Sequence, residues 1–130
     1  MSHFSVDLTG QVALVTNAGT DIGRAIALAL AASGAAVCAH DINPNRADQV
    51  VEAIQADGGR AISWVGDISN RFQVAAMIEA LRDAFGGLHI LINVAITDKR
   101  APLLTLDEYD WRRVLALNLT GAFFCTQLAA

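Results

Sequence analysis

Short apolar runs alternate along the chain with longer stretches in which apolar residues recur at helical spacing. The runs lack strict alternation, which predicts strands buried on both faces; they are Val12–Thr16, Ala35–His40, Ala61–Val65 and Leu88–Val94. A helix of small residues is predicted over Ile22–Ser33, and two later segments have apolar positions at i, i+3, i+4 and i+7. Strands that alternate with helices predict an α/β fold, a parallel sheet with helices on both faces.

The last stretch of the chain predicts one more helix, with a polar residue in its apolar face. Thr105 and Glu108 have the spacing of a capping box, so we expect the helix to begin there. Its apolar stripe includes Trp111 and Ala122 but passes through Asn118. A buried asparagine needs a hydrogen-bond partner. Asn118 is therefore either a core residue bonded to backbone carbonyls at a helix kink or a candidate catalytic residue.

Composition and charge narrow the classes of protein. Of 130 residues, 54% are hydrophobic and 17% are charged, which excludes intrinsic disorder and fits one domain. The net charge of −4 argues against nucleic acid or an anionic membrane as partner, and no stretch is typical of a membrane helix. Cys38 and Cys125 lie far apart in the sequence and do not form a metal-binding or redox motif. We therefore predict no metal site and a reduced, cytoplasmic setting.

Polar residues or glycines follow each of the predicted strands. The first strand is followed by Asn17–Gly23, the second ends at Asp41, and Asp67 and Asn93 come after the third and fourth. Ligands of parallel α/β sheets bind beyond the carboxyl ends of the strands. The sequence therefore predicts one binding site along this edge of the sheet.

The residue types at this edge favour a dinucleotide. Gly19 and Gly23 bracket the first strand-to-helix turn, where glycine lets the backbone approach a diphosphate at a helix N-terminus. Taken alone, two glycines at this spacing are equally typical of an ordinary strand-to-helix turn that binds no ligand. Asp41 can accept both ribose hydroxyls of an adenosine and repel a 2′-phosphate, which favours NAD over NADP. Its alternative role is to cap the next helix, which Asn43 or Asn45 could do equally well.

Four segments, in order, resemble the short-chain dehydrogenase/reductase family. Thr16–Gly23 resembles its cofactor loop, Gly66–Ile68 its adenine-contacting segment, Leu91–Ile96 the segment after its fourth strand, and Trp111–Gly121 the helix that carries its catalytic-site asparagine. The resemblance covers the chain from about Leu8 onward. It implies that residues 1–130 are part of a Rossmann-type dinucleotide-binding domain, with strand order 3-2-1-4, truncated after the fourth strand and its helix.

The resemblance also implies the site residues. Those expected to bind the cofactor are Asn17, Gly19, Thr20, Asp21, Ile22, Gly23, Asp41, Ile42, Asp67, Ile68, Asn93 and Ala95, with Asn118 in a supporting catalytic role. The departures from the family pattern are Asn17 and Asp21, which replace loop glycines, Val94, which replaces an asparagine, and Ile96, which replaces a glycine. Asparagine tolerates a left-handed backbone. Asp21 either caps the helix or faces the phosphates and weakens their binding.

The family's catalytic tyrosine and lysine have no counterpart in this chain. In the family, a tyrosine acts as acid or base, a lysine four residues later lowers its pKa, and a serine orients the substrate. Here the one tyrosine, Tyr109, follows the one lysine, Lys99, and no serine follows Ser69. Tyr109 and Arg113 have the four-residue spacing, which we interpret as a solvated surface pair. We therefore expect alcohol or ketone oxidoreduction for the family, and no turnover by this chain alone.

Two classes of function remain open. The chain is either part of an enzyme for a small-molecule substrate, or a non-enzymatic dinucleotide-binding or interaction module derived from that family. The outer edge of the fourth strand and the uncovered side of the last helix predict a homo-oligomer or a complementing chain. A discrete soluble oligomer in gel filtration would favour the module, whereas aggregation would favour the incomplete enzyme.

Overall fold

The structure is a computed structural model that describes residues 4–94 and 99–130. Its strands are β1 (Val12–Val15), β2 (Ala36–Asp41), β3 (Ala61–Val65) and β4 (Ile90–Ile92). Its α-helices are α1 (Asp21–Ala32), α2 (Pro44–Ala56), α3 (Arg71–Phe85), α4 (Glu108–Leu115) and α5 (Gly121–Ala129). A 3₁₀ turn covers Leu103–Thr105, and a π-helical turn, Ala116–Thr120, joins α4 to α5. The expected site residue Ala95 and the departure Ile96 lie outside the described residues.

The strands form one parallel sheet in the order β3-β2-β1-β4, which confirms the predicted topology. Ala13 of β1 pairs with Val37 of β2 on one side and with Ile90 of β4 on the other. This register places the carboxyl ends of all four strands at one edge. The fourth strand is shorter than its apolar run predicted, because Leu88 and Val94 lie outside the ladder.

Alternate residues of the strands enter two hydrophobic cores, one on each face of the sheet. Ala13, Val15, Val37 and Ala39 pack with residues of α1 and α2, whereas Leu14 and Cys38 belong to the core formed with α3 and α5. Burial on both faces explains why the strands are apolar without alternation. The predicted placement of helices on both faces is confirmed.

Side-chain caps fix where the helices leave the sheet edge. Thr20 caps α1 and accepts a hydrogen bond from the Gly23 amide, so the prediction that Asp21 could be the cap is wrong. Asp21 is instead the first residue of the helix. Asn43 caps α2 by accepting from the amides of Asn45 and Arg46.

The predicted last helix is two helices joined by a wider turn. It begins at Glu108, where Asp107 is the cap, so the prediction of a capping box from Thr105 is wrong. Thr105 lies in the preceding 3₁₀ turn, which separates its hydroxyl from the start of the helix. The π-helical turn contains Asn118, at the polar interruption of the apolar stripe.

Both cysteines are buried free thiols within the core shared with α3 and α5. Burial raises the pKa of Cys38 to about 12 and that of Cys125 to about 11.

Across the two described ranges, no helix combines the length and the apolar character that crossing a bilayer requires.

Candidate functional site

The turn from β1 into α1 is tied to its neighbours by Asn17. Its φ of 52° is left-handed, a conformation that asparagine adopts more readily than most residues and that suits the glycine of the family pattern. Its backbone amide donates to Nδ1 of His40 at 3.1 Å, and its side-chain amide donates to the carbonyl of Val94. Asn17 is therefore accommodated in the family's glycine position and connects the turn to the ends of β2 and β4.

Two glycines of this turn leave no space for a side chain. A Cβ on Gly23 would overlap the carbonyl oxygen of Asn17 and lie 2.9 Å from the Cα of Ala18. A Cβ on Gly19 would lie 2.5 Å from Oδ2 of Asp41 and would overlap the Cβ of Arg46. Glycine at both positions keeps the backbone close to the start of α1, where the first amides have no partner within the helix. A glycine turn of this kind at a helix N-terminus is able to hold an anion such as a diphosphate.

Asp41 lies beside that turn at the end of β2. Its carboxylate accepts hydrogen bonds from the Gly19 amide at 3.0 Å and from the Asn43 amide at 2.9 Å. The residue is only 3% exposed, so its backbone and side chain are held in place. Each carboxylate oxygen can accept a second bond, so the two backbone amides do not use up the acceptor capacity of Asp41. The cap of α2 is Asn43, so capping does not account for Asp41.

A buried histidine next to Asp41, at the end of β2, connects two loops at the edge. Nδ1 of His40 accepts from the Asn17 amide, so the proton lies on Nε2, which donates to the Gly66 carbonyl at 2.8 Å. Burial lowers the pKa of His40, although the bond to Gly66 and the charges of Asp41 and Asp67 oppose this effect. The neutral ring thereby joins the β1 turn to the segment after β3.

That segment presents Asp67, whose carboxylate is bonded on both oxygens. Oδ1 accepts from the amide of Ser69 at 2.9 Å and from its hydroxyl at 2.6 Å, and Oδ2 pairs with Arg113 at 3.1 Å. Partial burial acts to raise the pKa of Asp67, but the bonds from Ser69 and Arg113 outweigh it and lower the pKa overall. Asp67 is thus an ionised, oriented acceptor.

Arg113 is not the solvated residue that the sequence predicted. It reaches from α4 across to the β3 end and also donates to the Ser69 hydroxyl at 3.2 Å. Tyr109 is 72% exposed, and the partner of Arg113 is Asp67. The neighbouring Arg112 does form a surface pair, with Glu108 at 2.9 Å.

The other expected site residues occupy varied environments. Ile22 and Ile42 are exposed, beside the start of α1 and the end of β2, and Asp21 is exposed in the first turn of α1. Ile68 is buried in the core against Gly121, which leaves only its backbone for a ligand. The side-chain Nδ2 of Asn93 donates to the Thr126 hydroxyl of α5 at 3.2 Å.

Asn118 lies in the π-helical turn and is partly buried. A π-helical turn inside an α-helix is rare and occurs often at functional sites. The same turn also fits the alternative of a core asparagine at a helix kink.

Sequence reasoning missed His40 and Arg113. The sequence did contain a sign of His40, because a single imidazole ends the otherwise apolar run that begins at Ala35. A buried imidazole requires hydrogen-bond partners. For Arg113 there was none, because its partner Asp67 lies in a distant part of the sequence and only the fold brings them together.

Comparison with known proteins agrees with this geometry. The sequence profile of the family described as short chain dehydrogenase matches residues 11–130. The chain is 42% identical over 121 residues to a 3-oxoacyl-[acyl-carrier-protein] reductase of Synechocystis sp., a match that covers 92% of this chain and 49% of that protein. It is 37% identical over 124 residues to D-threitol dehydrogenase of Mycolicibacterium smegmatis, covering 95% and 48% of the two chains.

Solved structures show the same relationship. The crystal structure of hydroxysteroid dehydrogenase from Escherichia coli superposes with a TM-score of 0.90 at 34% identity, covering 95% of this chain and 52% of that one. The chain thus spans about half the length of the relatives it matches. With its Rossmann-type sheet and the glycine turn at the carboxyl edge, the chain belongs to the short-chain dehydrogenase family.

Proposed function

We propose that this chain is the dinucleotide-binding part of an NAD-dependent short-chain dehydrogenase. The observation that carries the proposal is the turn itself: Gly19 and Gly23 have no space for a side chain, and the Asp41 carboxylate lies against Gly19. A tight glycine turn at a helix N-terminus, followed by an acidic residue at the next strand end, suits a diphosphate and its adjoining ribose.

The sheet order supports one direction for the ligand. The diphosphate would lie at Gly19–Gly23, with the backbone of Thr20 and Ile22 beside it and the exposed carboxylate of Asp21 limiting its affinity. The adenosine ribose would bind Asp41. Because β3 lies beyond β2, the base would extend past Ile42 toward Asp67 and the backbone of Ile68.

The remaining half of the dinucleotide would extend in the opposite direction. There β4 ends, followed by Asn93 and, outside the described residues, by Ala95. Asn17 supports this side through its bond to the Val94 carbonyl. Asn118, in the π-helical turn between α4 and α5, would have a supporting catalytic role.

The charge of Asp41 supports NAD rather than NADP. A carboxylate at the proposed ribose position would repel a 2′-phosphate, and no arginine or lysine is hydrogen-bonded to Asp41 in the described structure. We therefore propose that NADH binds at least about tenfold more tightly than NADPH.

Titration of the chain with NADH and NADPH, followed by calorimetry, tests this proposal. Asp41→Asn removes the charge and should reduce the preference for NADH to about threefold or less. Glu52→Gln, which removes a carboxylate from the exposed face of α2, is the matched control and should leave the ratio unchanged. Failure of the unaltered chain to bind NADH would refute the proposal.

For the reaction, we propose hydride transfer between an alcohol or ketone and the nicotinamide, on a small-molecule substrate. The bound nicotinamide would supply the hydride chemistry. The 130-residue chain has no tyrosine followed four residues later by a lysine, so we expect it to bind NAD without turning over. Substrate-dependent formation of NADH by the pure chain would contradict this expectation. The buried, reduced cysteines suit a cytoplasmic setting.

An exposed apolar stripe favours association as a second function. It consists of every fourth residue along α4, the π-helical turn and α5: Trp111, Leu115, Leu119 and Phe123. Their exposed fractions range from 39% to 67%. Beside this helix, β4 pairs only with β1 in the described sheet. We propose that a second copy or a complementing chain covers these surfaces. This stripe is the observation that keeps an interaction module open as the alternative.

A further inference from the structure

The turn that carries Gly19 and Gly23 donates two successive backbone amides to His40. The amide of Asn17 donates to Nδ1 of the His40 ring at 3.1 Å, and the amide of Ala18 donates to the His40 carbonyl at 2.7 Å. The backbone of Asn17 is left-handed, with a φ of 52°. A residue other than glycine keeps such a conformation only where its surroundings hold it there. The ring of His40 is therefore one of the groups that hold the shape of this glycine turn.

The protonation state of His40 decides whether its ring can hold the turn. Nε2 donates to the Gly66 carbonyl at 2.8 Å, so the neutral ring presents a lone pair on Nδ1 to the amide of Asn17. A second proton would lie on Nδ1 and make it a donor, which would set two N–H groups against each other. The bond to Gly66 would persist, because Nε2 still donates. A proton on His40 therefore releases the glycine turn but not the segment after β3.

The charged groups around His40 come from three elements. Burial lowers the pKa of His40, against the bond to Gly66 and the charges of two carboxylates. Within the described residues, the charged side chains that act on the ring are Asp41, at the end of β2, and Asp67, after β3. Arg113 of α4 pairs with Asp67 at 3.1 Å and offsets part of its charge. The ring is therefore neutral near neutral pH and takes up a proton only in acid.

We propose that His40 is a positioning residue for the dinucleotide: its neutral ring holds the glycine turn in the shape that accepts the diphosphate, and a proton on the ring weakens binding. This inference rests on the proposed function, which directs the diphosphate to Gly19–Gly23. His40 is only 1% exposed, so it acts on the ligand through the amide of Asn17. Direct attraction between a protonated ring and the anionic diphosphate would have the opposite sign and tighten binding in acid.

The test follows the dissociation constant of NAD by calorimetry from about pH 7.5 down to about pH 5. Circular dichroism at each pH identifies the range in which the chain is folded. We expect binding to the unaltered chain to weaken as the pH falls, with the dissociation constant rising by up to about tenfold per pH unit once His40 takes up its proton.

Two substitutions of His40 separate the positioning role from a structural one. His40→Gln keeps an oxygen that can accept from Asn17 and an amide that can donate to Gly66, but it does not titrate. It should bind NAD within about threefold of the unaltered chain at neutral pH and show no weakening in acid. His40→Leu has no acceptor for the Asn17 amide and should bind at least about tenfold more weakly at every pH.

His89 provides a matched control. Its Nδ1 accepts from the amide of Val12 at 2.9 Å, so it also holds β1 by a backbone amide. Val12 begins that strand, whereas Asn17 follows its end. His89→Gln removes an imidazole in the same way and should leave both the affinity for NAD and its pH dependence unchanged.

The outcomes distinguish this inference from the proposed function. An affinity for NAD that is constant with pH, or that increases in acid, would overturn the inference alone. The same result holds if His40→Gln keeps the pH dependence of the unaltered chain or if His89→Gln loses it. Should His40→Leu fail to fold, the pH profile of His40→Gln still decides. Absence of NAD binding to the unaltered chain at neutral pH would overturn the proposed function together with the inference.

Discussion

Position 23 must be glycine because the atoms that a Cβ would meet there belong to the backbone, which cannot move aside as a side chain can. A Cβ there would overlap the Asn17 carbonyl and crowd the Cα of Ala18. We therefore expect Gly23→Ala to lower the free energy of unfolding by about 3 kcal/mol, because the start of α1 must move away from the turn. Chemical denaturation measures the change. Gly87→Ala, whose Cβ would meet its nearest neighbour at 3.5 Å, should stay within about 0.5 kcal/mol. Equal losses would contradict the account.

His40 should make stability depend on pH. Its pKa is lowered in the folded state, mainly by burial, so the unfolded chain takes up a proton first as the pH falls. The stabilisation that neutral His40 gives the fold is complete above pH 6.5, the pKa of histidine in the unfolded chain. It is lost as the pH falls from there toward the lower pKa of His40 in the folded state. Between these two pKa values, the free energy of unfolding should fall by up to about 1.4 kcal/mol for each pH unit.

Denaturation curves collected from about pH 7.5 down to about pH 5 test this dependence. His40→Gln should be less stable than the unaltered chain but should show a flatter slope, since glutamine does not titrate. The same slope in both proteins would assign the dependence to other groups. Protonated His40 cannot accept from the Asn17 amide, so acid should also loosen the turn that carries the glycines.

At the scale of single residues, the sequence predicted polar groups at the strand ends because parallel strands bring them to one edge. Asp41 and Asp67 lie at that edge, as expected. The bonding of Asp67 to Arg113 could not be predicted, since it depends on how α4 crosses the sheet. The cap at Thr20 rather than Asp21 was decided by a single amide contact with Gly23.

At the scale of elements, α5 packs directly on the loop after β3. A Cβ on Gly121 would lie 2.7 Å from Cγ1 and 2.8 Å from Cδ1 of Ile68, which are atoms of a flexible side chain. Gly121→Ala should therefore cost about 1 to 2 kcal/mol of stability rather than abolish folding. Denaturation of the double variant with Ile68→Val should show a smaller cost for Gly121→Ala than in the unaltered background, because the pair is coupled. Additive costs would show that Ile68 does not set the cost of Gly121→Ala.

Most elements were predictable, and the two exceptions both lie in the last helical segment. Periodicity identified every strand and the first three helices, since burial on both faces leaves runs of apolar residues. The division of the last helix by a π-helical turn was not predicted, because one extra residue in a turn barely alters an apolar stripe. The cap at Asp107 was missed because Thr105 and Glu108 offered an equally regular spacing.

At the scale of the whole molecule, the exposed stripe on the last helices should govern association. Leu119→Lys and Phe123→Lys each place a charge within the stripe and should shift the chain toward monomer in sedimentation velocity. Phe72→Lys is the control, because Phe72 is 85% exposed on α3 and outside the stripe. Equal effects of all three substitutions would show that general hydrophobicity, not this stripe, drives association.

An NMR titration with NADH tests most directly whether the carboxyl edge of the sheet binds a dinucleotide. We expect saturable shifts of the backbone amides of Gly19, Ile22 and Asp67, with smaller changes elsewhere. The groove between α3 and α5, lined by Ile78, Arg82 and Leu128, should stay unaffected. Shifts confined to that groove, or no saturable shift at the edge, would contradict the account.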